Sequence, residues 1–252
     1  MTLFEFDKEW LLNIKRLLIV GDLHGDYFAL KGILNFFNPT RDGIIFLGDY
    51  ADRGELGIEV IDNVRSLLMK YPNSVVALKG NHEDYTSQGY PTFSPCDLIG
   101  EVKIKRGTWQ RYFFNCLKPF FGKLYLSAIL PGEILFVHGG ISSKIEDYND
   151  LKNPSIDIEK DILWSDPFDG YGEYPNRRGI GVEFGVDITN KFSRKFNVKK
   201  IIRSHEPRKA ANGPYYEHDG KVITVNSTGV YGSKPFFLIL KTSNLKIDYR
   251  IL

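Results

Sequence analysis

The residue types best suited to bind metal ions lie in short segments that directly follow apolar runs of the sequence. Five runs rich in branched residues each give way to Asp, Asn or His within a few positions. In chain order, these polar residues are Asp22 and His24, Asp49 and Asp52, Asn81 and His82, His138, and His205. Carboxylate, amide and imidazole groups without thiolates suit borderline to hard divalent ions such as manganese, iron or zinc. The pattern predicts metal-assisted chemistry.

The distribution of histidine indicates one shared site. Of the five histidines, only His218, beside a predicted turn, does not follow an apolar run. Any one of the other four could be a structural residue, but the same placement four times makes that interpretation poor for the set. If six of the polar residues named above are ligands, they are more than one ion needs. We therefore expect two ions bridged by a carboxylate. Two-metal sites stabilise both oxygens of an in-line displacement, which makes phosphoryl transfer the leading chemistry.

The apolar runs predict the elements that position these residues. Short branched runs bounded by Gly and Asp are typical of buried strands. Between them, residues 27–37 and Gly57–Lys70 predict helices, and the second segment has Ile58, Ile61 and Val64 at helical spacing. Strands alternating with helices predict a parallel sheet, and functional groups of such sheets collect where the strands end. The predicted fold class is α/β (α+β), with five polar segments meeting at one edge.

The second half of the chain follows a different pattern. It predicts a helix over 108–117, two strands that meet at Pro131-Gly132, a mostly irregular region over 140–184 and a helix over 185–196. The segments GKVITVNS, KPFFLIL and LKIDYRIL near the C-terminus alternate like strands of an antiparallel meander. The sequence contains no repeat, linker or low-complexity segment. We therefore predict one domain over residues 1–252, with two sheets flanked by helices.

Composition narrows the class of protein. With 42% hydrophobic and 14% aromatic residues, the 252-residue chain can bury a substantial core. The 33 basic and 31 acidic residues do not suggest the broad basic surface of a nucleic-acid-binding protein. Two cysteines without a CxxC motif fit a reducing compartment, and no apolar run approaches the roughly 20 residues that span a bilayer. We expect a cytoplasmic protein without nucleic-acid or membrane partners, and the oligomeric state stays open.

The segments GDLHG, GDYADRG, GNHE and HGG, followed by WSDP, RRGIGVEFG and SHEP, form one ordered set. In this set the chain resembles the phosphoprotein phosphatase family of metal-dependent serine/threonine phosphatases, which belongs to the calcineurin-like metallophosphoesterases. Within that family it resembles the compact members of prokaryotic or archaeal type. The resemblance covers roughly residues 17–232. It implies the metallophosphoesterase fold, a four-layer α/β/β/α sandwich of two mixed sheets flanked by helices. It also implies a dimetal site at the C-terminal ends of the strands.

The resemblance implies a ligand set for two divalent metal ions, with manganese foremost and iron or zinc as alternatives. Asp22 and His24 would bind the first ion, Asp49 would bridge both, and Asn81, His138 and His205 would bind the second. The implied reaction is direct attack of hydroxide held by the two ions on a phosphoserine or phosphothreonine monoester. It uses phosphoprotein substrates and forms no phosphoenzyme.

The same resemblance implies roles for five further residues. His82 would be the general acid that protonates the leaving oxygen, and Asp52 would orient it. Such a proton donor typically contributes about 10²–10⁴-fold. Arg53 and Arg178 would hold the phosphate, with Tyr231 beside them. Guanidinium groups match phosphate oxygens bidentately and keep their charge.

Several of these roles have alternatives. Arg53 could pair with a neighbouring aspartate, and Arg177 could be the functional arginine in place of Arg178. Asn81 and Asp52 could form turns after their strands.

Two segments depart from the family pattern. NSTGVYG stands where the family usually has Ser-Ala-Pro-Asn-Tyr-Cys, which leaves the role of Tyr231 open. The residues after GNHE lack a helical period, although larger eukaryotic members have a helical region there. We expect Trp164, Asp166 and Phe184 to fix loops and packing, not to react.

Two other functions compete with a protein phosphatase. The related symmetrical dinucleoside-polyphosphate hydrolases usually carry His-Ala-Gly where Gly139 makes HGG, and they usually lack WSDP. A non-catalytic scaffold of the same fold is expected to have lost its acid or its arginines, yet His82, Asp52 and Arg53 are all present. An active phosphatase is the favoured prediction, with the dinucleotide hydrolase as the alternative enzyme.

Overall fold

The structure, a computed structural model, describes residues 1–252 apart from the side chain of Lys8. The strands are β1 Leu3–Glu5, β2 Arg16–Val20, β3 Asp42–Phe46, β4 Val75–Ala77, β5 Ser127–Leu130, β6 Ile134–Val137, β7 Asp166–Pro167, β8 Glu173–Pro175, β9 Val182–Phe184, β10 Lys200–Arg203, β11 Tyr215–Glu217, β12 Val222–Thr224, β13 Phe236–Lys241 and β14 Ile247–Ile251. The helices are α1 Lys8–Leu12, α2 Tyr27–Leu34, α3 Gly57–Lys70, α4 Leu98–Lys105, α5 Trp109–Tyr112, α6 Lys118–Phe121, α7 Tyr148–Lys152, α8 Ile156–Trp164 and α9 Val186–Phe196, with a 3-10 turn at Asn81–Glu83 and a π-helical segment at Phe113–Leu117. Among the described residues, no helix is long and apolar enough to cross a bilayer.

Two mixed sheets form the frame of the molecule. The first has the order β1-β5-β6-β10-β12-β11, in which β6, β10 and β12 run parallel. The second has the order β14-β13-β2-β3-β4, in which β2, β3 and β4 run parallel. A small third sheet has the order β7-β9-β8. Because each large sheet contains a parallel group, each has strand ends that can carry site residues to one edge.

Three apolar clusters define four layers. One cluster fills the space between the two large sheets, and the other two cover their outer faces with helices. Strand β2 illustrates the arrangement, since Leu17 and Ile19 belong to the inner cluster while Leu18 and Val20 belong to a helix-covered one. Successive side chains of a strand point to opposite faces, so all four residues of this strand that follow Arg16 are apolar and buried. The predicted four-layer α/β/β/α sandwich is confirmed.

The local predictions differ in accuracy. Helix α3 has the predicted bounds, whereas the predicted helix over 108–117 is a composite of α5 and the π-helical segment, continued by α6. The prediction of a mostly irregular region over 140–184 is only half correct, because α7, α8 and the third sheet lie there. Ser155 caps α8 by accepting a hydrogen bond from Ile158 N, and Ile158, Ile162 and Leu163 are buried against the first sheet.

The predicted C-terminal meander is also wrong in part. Strands β13 and β14 do pair antiparallel, but β12 lies in the other large sheet, parallel to β10 and antiparallel to β11. Strand β12 therefore belongs with β10, whose C-terminal end leads into His205.

The N-terminus of α3 is capped by a side chain from another helix. Glu101 of α4 accepts hydrogen bonds from Gly57 N and Ile58 N, both at 3.1 Å. Loss of a helix cap costs about 0.5–2 kcal/mol. We expect Glu101→Ala to lower the free energy of unfolding by about 1–2 kcal/mol in urea titrations, with a smaller effect of Glu101→Gln. Glu146→Ala, at an exposed position, serves as the control. Equal urea midpoints of unfolding for Glu101→Ala and Glu146→Ala would contradict the capping role.

His218, the histidine outside the predicted site, is buried and has a polar neighbour at each ring nitrogen. Its Nε2 lies 3.0 Å from the Phe168 carbonyl oxygen and its Nδ1 lies 2.7 Å from Thr189 Oγ1. A carbonyl only accepts, so Nε2 carries the proton and Nδ1 accepts from the hydroxyl. Burial lowers the pKa of His218 below its usual value.

This lowered pKa predicts a pH dependence of stability. Between the folded and unfolded pKa values the unfolded state binds more protons, so the free energy of unfolding decreases as the pH falls below about 6.5. We expect the loss between pH 7.5 and 5.5, measured by urea unfolding, to be larger for the wild type than for His218→Gln. A loss of the same size in both proteins would show that His218 does not contribute.

Candidate dimetal active site

Five loops at the ends of parallel strands carry the predicted polar residues. Strands β2, β3 and β4 of the second sheet and β6 and β10 of the first lead into these loops. All eight residues are at least 94% buried: Asp22, His24, Asp49, Asp52, Asn81, His82, His138 and His205. Burying so many carboxylates and imidazoles is costly unless they pair with one another or with bound cations.

Two groups of side chains meet in this space and share Asp49. The ligand atoms within each group lie within 4.8 Å of one another. The groups are His24, Asp49 and His82, and Asp49, His138 and His205. Asn81 extends the second group, since its Oδ1 lies 2.9 Å from His138 Nε2. A carboxylate common to both groups is the arrangement that a bridged pair of ions requires.

Asp22 lies beside the first group and keeps one oxygen unpaired. Its Oδ2 is 3.8 Å from His24 Nε2 and has no hydrogen-bond partner among the described atoms. His205 Nε2 is buried without such a partner as well. A buried polar atom without a partner carries its full desolvation cost, and a bound cation would remove that cost. The donor set therefore fits two divalent metal ions.

Backbone carbonyls hold two of the imidazoles in one orientation. His24 Nδ1 lies 3.0 Å from the Ala51 carbonyl oxygen, and His138 Nδ1 lies 2.8 Å from the Leu47 carbonyl oxygen. Because a carbonyl only accepts, Nδ1 carries a proton in both rings, which leaves Nε2 as the nitrogen that faces the site. This is the usual support for a metal-binding histidine.

The pKa values of the imidazoles respond to burial and to Asp49. Burial lowers the pKa of His24 and, more strongly, that of His205, so both favour the neutral form that binds metal ions. Burial acts in the same direction on His138, but the Asp49 carboxylate outweighs it and raises the pKa to about 9. His138 and Asp49 thus hold a proton in a position where a metal ion would replace it.

Glu83 fixes the loop that carries Asp49, although the sequence analysis assigned it no role. Its carboxylate accepts hydrogen bonds from the backbone N–H groups of Asp49, Tyr50 and Gly80 at 2.9–3.0 Å. Burial and the Asp49 charge raise the pKa of Glu83 to about 7. The final letter of the GNHE segment was the only sequence signal for it.

Ser204 is a second residue that the sequence analysis missed. Its hydroxyl donates to Asp22 Oδ1 at 2.5 Å and accepts from Asp22 N at 2.7 Å. His205 N also donates to Asp22 Oδ1, at 3.1 Å. These contacts saturate one Asp22 oxygen and direct the other into the site.

Asp166 organises two arginines, in line with the expected loop-fixing role. It accepts from Arg203 Nη2 at 2.7 Å and from Arg178 Nε at 2.8 Å. Despite burial, the neighbouring His205, Arg203 and Arg178 hold the Asp166 pKa well below its usual range. Arg203 is fully buried and also pairs with Glu206 at 2.6 Å, so it is a structural cation that the sequence analysis did not single out.

His82 and Asp52 form a directed pair at the rim of the metal-ligand groups. His82 Nδ1 lies 2.7 Å from Asp52 Oδ2, and Leu98 N donates to the other Asp52 oxygen at 2.8 Å. The Phe93 ring packs 4.4 Å from the His82 ring. Burial alone would lower the His82 pKa, but the Asp49 and Asp52 carboxylates raise it above its usual value. The pair can hold a proton facing the cavity.

Backbone strain is concentrated in this site. Five of its residues adopt a positive φ: His24 at 44°, Asp49 at 54°, Asp52 at 67°, Arg53 at 70° and His205 at 70°. Such conformations cost of order 1–3 kcal/mol each for residues other than glycine and occur mainly at functional sites. The fold therefore holds these loops against their local preference.

A cavity of about 870 Å³ opens onto the buried groups. Arg53, Arg178 and Tyr231 line it together with metal-ligand candidates from both groups. Arg53 is not bound to the aspartates of its own loop, and the nearest carboxylate oxygen is that of Asp97 at 3.9 Å. Arg177 is 90% exposed and lies 3.4 Å from Glu183, outside the lining of this cavity. The geometry favours Arg178 over Arg177 as a ligand-facing arginine.

Comparison with known proteins assigns this chain to a family. The sequence profile of the calcineurin-like phosphoesterases matches residues 15–209, and the chain belongs to the calcineurin-like phosphoesterase family. Within it, the chain is 32% identical over 254 residues to serine/threonine-protein phosphatase 5 of Homo sapiens, covering 95% of this chain and 49% of that protein. It is 31% identical over 246 residues to serine/threonine-protein phosphatase 5 of Arabidopsis thaliana, covering 92% and 44%. The chain thus spans about half the length of these relatives.

A solved structure supports the same comparison. A protein serine/threonine phosphatase from Saccharomyces cerevisiae superposes with a TM-score of 0.81 at 26% identity, covering all of this chain and 83% of that one.

Proposed function

We propose that this chain is a serine/threonine protein phosphatase that hydrolyses phosphoserine and phosphothreonine monoesters of protein substrates. The observation that carries the proposal is the pair of ligand groups joined at Asp49 on the floor of a cavity that Arg53 and Arg178 line. The names of the relatives support a phosphoprotein substrate. We further propose that residues 1–252 act as a single catalytic domain. A cytoplasmic location suits its two cysteines, both free thiols.

The proposed ligand sets start from the two groups, with Asp22 in place of His82 in the first and Asn81 added to the second. Asp22, His24 and Asp49 would hold one ion, and Asp49, Asn81, His138 and His205 the other. Manganese is the first choice, and iron or zinc fits the same donors. Bound there, the ions would lower the pKa of water at the site and neutralise charge on the phosphate.

Each remaining side chain has a proposed task in the reaction. Arg53 and Arg178 would bind the phosphate oxygens, and Asp166 would keep Arg178 in place through its 2.8 Å contact. Protonated at Nε2, His82 would give its proton to the serine oxygen as the ester bond breaks. Asp52, 2.7 Å from Nδ1, would orient the ring and stabilise its charge.

The experiment that tests this function compares two substrates under identical conditions. Phosphate release from a phosphoserine peptide is measured against cleavage of diadenosine tetraphosphate, each with added manganese. We expect the peptide to be the better substrate by kcat/KM. Faster cleavage of the dinucleotide by orders of magnitude would instead assign the chain to the symmetrical dinucleoside-polyphosphate hydrolases. Cleavage of neither substrate would favour a non-catalytic interaction scaffold.

A further inference from the structure

One basic side chain of the cavity has no acidic partner. The cavity is lined by four basic side chains, Arg53, Arg178, Arg208 and Lys209. Arg178 pairs with Asp166 at 2.8 Å and Lys209 pairs with Glu217 at 2.6 Å. Among the described side chains, no carboxylate lies within 4.0 Å of the exposed Arg208. Its guanidinium is therefore available to a ligand.

The position of Arg208 relative to the metal ligands is set by Tyr231. The Arg208 guanidinium lies 5.4 Å from the centre of the Tyr231 ring, and the centre of that ring lies 5.6 Å from that of His24. Extended peptide advances about 3.3–3.6 Å per residue, so these two contacts together span at most about three residues. A phosphoserine at the metals would present to Arg208 a side chain two or three positions away.

The remaining acid on this wall does not cancel the charge of Arg208. Glu206 lines the cavity, but its carboxylate pairs with Arg203 at 2.6 Å and with Lys209 at 3.3 Å. The Glu206 carboxylate is thus engaged by two other cations, and the charge of Arg208 stays unpaired. A guanidinium in such a setting prefers planar anions, which it can bind through two parallel hydrogen bonds.

We propose that Arg208 forms an anion subsite that binds the carboxylate of an Asp or Glu two or three residues from the phosphorylated serine. This inference rests on the proposed phosphatase function and narrows its substrates to acidic phosphorylated segments. Arg208 contributes to binding and takes no part in bond cleavage. Its removal therefore raises KM for acidic peptides and has little effect on kcat.

A purely structural role for Arg208 makes a different prediction. Stacking of an exposed arginine on a tyrosine ring is a weak stabilising contact, and its loss could displace Tyr231. In that case the activity on acidic and neutral peptides would fall by the same factor, through kcat as well as KM.

The test uses phosphoserine peptides that carry a single Asp at position −3, −2, +2 or +3, each paired with the same peptide carrying Asn. The wild type, Arg208→Gln and the control Arg194→Gln are compared by kcat and KM, with circular dichroism as the check on folding. Arg194 is exposed on α9, outside the lining of the cavity.

We expect the wild type and Arg194→Gln to prefer at least one Asp peptide over its Asn partner by about two- to fivefold, the range of an exposed charge pair. Arg208→Gln should lose that preference through KM. The proposal is overturned if the wild type shows no preference in any register, if Arg208→Gln retains the preference, or if both peptides of a pair lose activity equally. Failure of the wild type to release phosphate from any peptide would reject the proposed function itself, and the subsite with it.

Discussion

Replacing His82 with asparagine is expected to reduce phosphate release from a phosphoserine peptide by about 10²–10⁴-fold, the usual contribution of a general acid. A serine alkoxide is a poor leaving group and needs a proton as the bond breaks. The activity on p-nitrophenyl phosphate should fall far less, because a nitrophenolate leaves without protonation. The measurement is kcat/KM on both substrates for the wild type and His82→Asn.

Two further variants separate the role of His82 from general damage. Asp52→Asn removes the negative charge 2.7 Å from His82 Nδ1 and should reproduce the selective loss in weaker form. His218→Asn changes a histidine outside the site and should leave the ratio of the two activities unchanged. Equal losses on both substrates in His82→Asn would contradict the general-acid role.

The metal content of His82→Asn is an essential part of this experiment. His82 lies in one of the two groups with ligand geometry, together with His24 and Asp49. If elemental analysis finds fewer ions in the variant, His82 is a ligand. Unchanged metal content combined with a selective loss of activity would support a proton donor.

Replacing Asp49 with asparagine should have the second large effect, loss of both metal ions together. Asp49 is the residue common to the two groups, and asparagine tolerates the positive φ of 54° at this position. Metal ions contribute several kcal/mol of charge stabilisation, and about 1.4 kcal/mol corresponds to tenfold in rate. We expect activity to fall by about 10³-fold or more on peptide and aryl phosphate alike.

The matched comparison for Asp49→Asn is Asn81→Ala, which alters only one group. It should lower the occupancy of one ion and retain the other. Thermal unfolding in the presence of a chelator tests whether either variant destabilises the fold itself. If Asp49→Asn still bound two metal ions with the affinity of the wild type, the bridging role of Asp49 would be contradicted.

Much of the candidate site could be predicted from the sequence because its residues follow short apolar runs. A parallel strand places the residues after it at a fixed edge, so Asp22, Asp49 and His138 come together once the strands pair. The glycines of the motifs also have a local reason. A side chain at Gly80 would collide with Asp49 Oδ1, and one at Gly48, whose φ is 105°, would collide with the Gly80 backbone.

The supporting residues could not be predicted in the same way, because their partners are distant in sequence. Glu83 accepts from Asp49 N, 34 residues away, and Ser204 donates to Asp22, 182 residues away. The period of an apolar pattern contains no information about such pairs. The same reason explains the sheet assignment of β12, since long-range pairing, not local alternation, determines which sheet a strand joins.

Helices α7 and α8 were missed for a local reason. They are short, with five and nine residues, and the surrounding Gly, Pro, Asp and Asn favour loops. Their caps, Asp147 and Ser155, are residues that also begin turns. Burial of Leu151 and Ile162 then favours helix over turn, which only the tertiary structure reveals.

The most direct test of the proposed dimetal site is a metal titration in which phosphatase activity is measured at each addition. Metal-stripped protein receives increasing amounts of Mn²⁺ while phosphate release from a phosphoserine peptide is measured. We predict no release without metal and a rate that saturates at two equivalents per chain. Full activity without metal, saturation at one equivalent, or no release at any metal concentration would contradict a dimetal phosphatase centred on Asp49.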